Sequence, residues 1–272
     1  MNKLISLLIL LFCFPTIHGQ PKGDKILKEG QLLFRSEKAS WYGTDEFLSR
    51  FPNLKDSIGG YLSYEGDDHH EYNIFLTREN PFRILARLEF DSLPKEKAIS
   101  TDMINRAPSQ KERDLIVIRQ DALDKIRSNS DHFFSFYKNT SFNLIPVISS
   151  SERKVYVITG PQKSGVVIIG NDYLLKYDSH DNFISKEKIH NSMIQLPAKS
   201  DTLNVTATMH SHVISDVIDP TDICTLLLYK DFVDWKQHYV ISKKYVSIFD
   251  LDKQNLVILT RKAWDKINKT KK

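Results

Sequence analysis

Short apolar runs, each only a few residues long and closed off by Gly, Pro, Asn or Asp, recur along most of this chain. That punctuation is the signature of strands joined by turns and leaves no room for a bundle of long helices. Runs at 60–66, 71–77 and 82–90 predict a small antiparallel meander in the first half. Runs at 155–159, 165–178, 238–243, 245–250 and 256–260 predict more strands in the second half. Helical spacing is clear in fewer places. Ser109 and Glu112 form a capping box, followed by Leu115, Ile118, Ala122, Leu123 and Ile126 at helical intervals. Asp219-Pro220 predicts a helix start running to Trp235, and 261–267 predicts a short terminal helix. The expected fold class is α+β or mixed α/β. A β-rich region with one helix would occupy 24–140, and a mixed sheet with packing helices would occupy 150–272. The boundary between halves is expected within 139–151.

The first residues have a different character. Lys3 precedes an apolar run of eleven residues at 4–14, Pro15 breaks it, and Gly19 offers a small residue for cleavage. Residues 1–19 therefore read as a secretory leader, and the expected location is secreted, periplasmic or at the cell surface. Eleven residues rise only about 16 Å as a helix, short of a bilayer core. No later stretch approaches a spanning length, so no membrane span is expected. Loss of the leader removes Cys13 and leaves Cys224 alone, which excludes an intramolecular disulfide. Packing must then hold the fold, which a chain of 272 residues allows. The net charge is +4 and dispersed, which argues against a nucleic-acid partner.

The sharpest local pattern is Thr208-Met209-His210-Ser211-His212, followed by Asp219-Pro220-Thr221-Asp222. In a strand, His210 and His212 point to one side with α-carbons roughly 7 Å apart, so both imidazoles can reach one small cation. A helix starting at Pro220 can bring Asp222 to the same place. Two His and one Asp leave a fourth position for water, the arrangement of a catalytic zinc site. Asp222 also has a purely local reading, as the acidic residue of a first helical turn with Asp219 as N-cap.

These residues resemble the metal site of the JAB/JAMM (MPN) metalloprotease superfamily, whose pattern is His-x-His-Pro, seven residues, Ser, two residues, Asp. The resemblance covers about 151–260. It implies that His210, His212 and Asp222 bind Zn2+. It also implies that Glu152, 58 residues before His210 and ahead of a strand ending in Thr159-Gly160, is the general base. The implied activity is hydrolysis of an amide or isopeptide bond, and a peptide or protein is the implied substrate. Val213 stands at the family's Pro, Asp219 at its Ser, and the gap from His212 to Asp222 is ten where the pattern has eleven. The alternatives are a non-catalytic exported binding protein on a degenerate form of that fold, and an unrelated α+β fold in which the motif is plain strand and cap chemistry.

Other polar groups read as structural. Asp67 to Glu71 suits a solvated hairpin loop, where adjacent His69 and His70 would face opposite ways. Asn171-Asp172-Tyr173 reads as a bulge or turn inside an apolar run, His190 as an exposed residue of a polar stretch, and Cys224 as an inert buried thiol.

Overall fold

A computed structural model describes residues 20–199 and 205–269 of the chain. The leader read in 1–19 lies outside the described residues. The described residues open with α1 (Gln20–Arg50), which the sequence reading passed over, so the described part of the first half carries two α-helices rather than one. The reason is visible along its buried face. Gly30, Leu33, Ser36, Ser40, Gly43 and Phe47 follow one another at helical spacing, but only two of the six are large and apolar. The small residues let other elements approach closely. A Cβ on Gly30 would meet Ile223 Cβ at 2.6 Å, and Gly43 lies against the Asn73 side chain. Ser36 Oγ donates to Ser63 O at 3.0 Å, and Ser40 Oγ sits 2.8 Å from Ser63 Oγ.

The predicted meander is present as β1 (Ile58–Glu65), β2 (Glu71–Thr77), β3 (Ile84–Phe90) and β4 (Ser100–Arg106), in the order β1-β2-β3-β4 and antiparallel throughout. Its core is Phe75, Ala86, Leu88 and Phe90, against which α1 lays Ala39 and Phe47. The predicted capping box opens α2 (Gln110–Ser128), with Ser109 as N-cap and both reciprocal bonds made. Its apolar face packs Ile118, Ala122 and Ile126 against Val155, Val157, Tyr173 and Leu175.

Residues expected at a boundary form a strand instead. β5 (Thr140–Ile148) pairs with β6 (Arg153–Pro161) along its whole length, in a second antiparallel sheet ordered β5-β6-β8-β9. The apolar run at 165–178 is two strands, β7 (Val166–Gly170) and β8 (Tyr173–Tyr177). Gly170 (φ 94°) and Asn171 (φ 59°) sit in the left-handed region between them and turn the chain. β9 (Phe183–Lys188) and β10 (Met193–Pro197) come from the stretch read as loosely polar, and β10 pairs with β7.

The last sheet is ordered β11-β12-β13-β14, from β11 (Ala207–Ser211), β12 (Gln237–Ile241), β13 (Tyr245–Asp250) and β14 (Asn255–Thr260). β11 and β12 are parallel, joined by α3 (Pro220–Tyr229), and the other pairs are antiparallel. α3 ends at Tyr229, short of the expected Trp235, and a 3-10 turn follows it. α4 (Arg261–Lys269) closes the described chain. Ile218, Ile223, Leu226, Leu227, Val240 and Phe249 form the core here, and Ile26, Leu27 and Phe34 of α1 pack against it. One helix thus completes the cores of both halves. No described helix is long and apolar enough to cross a membrane.

Candidate metal centre

β11 positions the two predicted histidines at its carboxyl end. His210 is the penultimate residue of the strand, and His212 follows it, its backbone N donating to Ile241 O at 2.9 Å. Their rings lie 4.6 Å apart, centre to centre. The chain then turns into α3, which presents Asp222 from its first turn, where the helix N-terminus favours a carboxylate. Asp222 Oδ2 accepts from Asp219 N at 2.9 Å. Asp222 thus plays its local part in the first turn through Oδ2 and still turns Oδ1 towards the histidines.

The fourth member is His190, from the turn between β9 and β10. It is buried, not exposed as its polar neighbourhood had suggested. Its Nε2 lies 3.1 Å from His212 Nε2 and 3.2 Å from Asp222 Oδ1. His212 Nε2 lies 3.3 Å from Asp222 Oδ2, and His210 Nε2 lies 3.8 Å from Asp222 Oδ1. One ligand atom from each of His190, His210, His212 and Asp222 falls within 4.8 Å of the others. Four ligands about 2.0–2.1 Å from a tetrahedral ion stand about 3.3 Å from one another, so the spacings found are close to the edges of such a site. His190 stands where the sequence reading left a position for water, so the group offers four ligand atoms rather than three.

The outer nitrogens settle which face of each ring is free. His212 Nδ1 lies 2.9 Å from Val217 O, and a carbonyl only accepts, so Nδ1 carries the proton and Nε2 keeps its lone pair. His190 Nδ1 lies 3.3 Å from Asp172 Oδ2, an ion-pair contact without hydrogen-bond geometry that still favours a proton on Nδ1. His210 Nδ1 lies 2.7 Å from His238 Nε2, and His238 Nδ1 lies 2.8 Å from Thr208 Oγ1. Such outer partners orient imidazole ligands and make them more basic. Asp172 is itself held, its Oδ1 accepting from Thr159 N at 2.9 Å.

Nine buried side-chain atoms among the described residues have no hydrogen-bond partner, and two of them are His210 Nε2 and Asp222 Oδ1. Leaving a buried polar atom unmet costs about 1–3 kcal/mol each. Both face the common centre, and a cation there would satisfy both. Electrostatics agrees. Burial alone would raise Asp222, but the imidazoles of His190, His210 and His212 hold it well below the usual carboxylate range. Burial would strip a proton from His190, but Asp222 and Asp172 push it up to about 11. Burial brings His210 down to about 4. Without an ion, a proton on His190 supplies the positive charge that the anionic centre demands.

Glu152 does not join this group. Its carboxylate accepts from Lys154 Nζ at 2.9 Å and is about half exposed, at 49%. The carboxylates that do border the four ligands are Asp172 and Asp219. Asp219 Oδ2 lies 4.0 Å from His190 Nε2 and accepts from Ser215 Oγ at 2.7 Å. Burial and the Asp222 charge push Asp219 up to about 6.

His190 and Asp172 escaped the sequence reading. A signal existed for Asp172, since a carboxylate inside an apolar strand run needs a partner when buried. His190 carried none, being 20 residues from His210 with no recognisable spacing. Residues 67–69 are solvated as expected, with His69 and His70 paired to Glu65 and Glu89, but Glu71 opens β2 and is buried, its Oε1 3.1 Å from Arg35 Nε. Cys224 is a buried free thiol on α3. Searches of family models, curated proteins and solved structures give no match for this chain.

Proposed function

We propose that this chain is an exported metalloprotein whose His190, His210, His212 and Asp222 hold one zinc ion. The observation that carries the reading is the pair of buried, unpartnered ligand atoms, His210 Nε2 and Asp222 Oδ1, facing one centre with two further imidazole lone pairs. Three imidazoles and a carboxylate suit a divalent first-row ion, and spacings near tetrahedral edges favour zinc. Four protein ligands are the number found in structural zinc sites. That favours a non-catalytic binding or interaction protein whose C-terminal half is built around the ion. Metal analysis of the purified protein tests this. The native protein should carry about one zinc per chain and the double variant His210→Ala/His212→Ala should carry almost none. Equal content in the two would end the reading.

A second reading is a JAB/JAMM-type peptidase or amidohydrolase acting on an amide or isopeptide bond. The succession of a His-x-His strand, a loop and a helix bearing Asp222 favours it. Zinc held there would polarise a carbonyl and make a water more acidic. The base would be Asp219 rather than Glu152. Asp219 borders the ligands; it and Glu152 both line a cleft of about 580 Å³, but only Asp219 stands within 4.0 Å of a ligand histidine there. Asp219→Asn should keep the metal and lose peptide hydrolysis. A metal-loaded native protein that cleaves no peptide in a mixed library excludes this reading and leaves the first intact. Export is tested by N-terminal sequencing of protein recovered outside the cytoplasm, with Gln20 expected as the first residue.

A further inference from the structure

The four ligands are not sealed on all sides. A crevice of about 30 Å³ is lined by His190, His210 and His212, but not by Asp222. It therefore meets the group on the side of the imidazoles and not at the carboxylate. One wall is Gly170 with Ser192, and the outer rim is Ile194, Val213 and Ile214. Gly170 makes the wall possible in two ways. Its φ of 94° suits glycine, and a Cβ there would collide with Ser192 O in the loop that carries His190. The rim is exposed and apolar, with Val213 82% and Ile214 49% accessible.

We infer that this crevice is a port through which a water-sized or linear triatomic ligand reaches the ion on its three-imidazole face. This rests on the metal reading above and adds its ligand class. A site holding one water needs about 10–15 Å³, so 30 Å³ admits a ligand of two or three heavy atoms. It cannot admit a peptide bond with its flanking residues, which needs a cleft of hundreds of Å³. Because Asp222 does not line the crevice, a small ligand entering it would approach a bound ion past the three imidazoles. The narrow, mostly apolar walls exclude bulky and strongly hydrated groups without any gating movement.

Cobalt(II) replaces zinc in such sites and reports its coordination number through its visible bands. The test loads the full mature chain with cobalt(II), measures cobalt content, and titrates with sodium azide. One cobalt per chain and a saturable change in the visible bands are expected. Val213→Trp, which fills the rim, should load cobalt equally and weaken azide binding by tenfold or more. Val213→Ala should bind azide at least as well as the native protein. A cobalt-loaded protein whose bands do not respond to azide overturns the port and leaves the metal centre standing. So does a Val213→Trp protein that binds azide like the native one. Failure to load cobalt or zinc overturns the metal reading, and the port with it.

Discussion

His238 Nε2 lies 2.7 Å from His210 Nδ1, and the parallel register of β11 and β12 puts it there, because His238 pairs with Thr208, two residues before His210 on the same face. The imidazole of His238 is buried, and burial among other histidines takes its pKa down to about 3, so it stays neutral. With a cation held by His210 Nε2, His238 Nε2 would accept from His210 Nδ1 and its own Nδ1 would donate to Thr208 Oγ1. His210 is thus aimed by a residue outside the group of four.

Removing that support should loosen the metal without abolishing the site. His238→Ala is expected to weaken zinc affinity by about 10–100-fold, the usual effect of losing an outer partner. His238→Gln, whose side-chain carbonyl can still accept, should recover part of the loss. Competition with a chromogenic chelator measures both. Unchanged affinity in His238→Ala would show that His210 needs no such support.

Metal removal should be read as a loss of stability. An ion present at 1,000 times its dissociation constant stabilises the native state by about 4 kcal/mol. For a chain of this size each kcal/mol is about 2–4 °C, so the chelator-treated protein should melt about 8–16 °C lower by calorimetry. His190→Ala should melt low with or without chelator. A native protein indifferent to both chelator and added zinc would count against the centre.

Glu112 predicts an acid limb to the stability curve that is independent of the metal. Burial alone would raise this carboxyl, but Arg106, the Ser109 backbone N–H and the Tyr64 hydroxyl together bring it down to about 2. Arg106 grips it at 2.6 and 2.8 Å, and Tyr64 donates at 2.9 Å. A folded-state pKa below the unfolded one stabilises above the ordinary carboxylate range. The stabilisation is lost as pH falls from about 4.5 towards 2, and its size is about 2–3 kcal/mol. In urea titrations across that window, Glu112→Gln should be less stable than the native protein at pH 7 and should lose less on acidification. Parallel curves for the two would refute the assignment.

Gly30 is where α1 meets α3, the helix that carries Asp222. Glycine to alanine inside a helix ordinarily stabilises by about 1 kcal/mol. Here the new methyl would press on Ile223 Cβ and Cγ2 and on Pro220 O, which stands 3.0 Å away. Overpacking of this kind costs about 1–3 kcal/mol, and a backbone oxygen yields less than a side chain. Gly30→Ala should therefore be destabilising overall, by about 1–2 kcal/mol in urea unfolding. A stabilised variant would mean that α1 and α3 separate easily.

The sequence by itself determined the local elements wherever a repeating apolar pattern or a capping pair was present. β2 begins and ends where its alternation does, and α2 starts at the Ser109–Glu112 box. His210, His212 and Asp222 were legible for the same reason, since a strand alternation and a helix start place them within one short segment. α1 was not legible, because its buried face is carried by Gly and Ser, whose value lies in close approach and not in apolar area. The fourth ligand and its support were decided only by tertiary structure. His190 arrives from the β9–β10 turn, Asp172 from the β7–β8 turn, and His238 from a neighbouring strand. Local pattern reports which way a side chain points along its own element. Which elements are brought face to face is set by sheet register and helix packing, and the metal centre is made of that meeting.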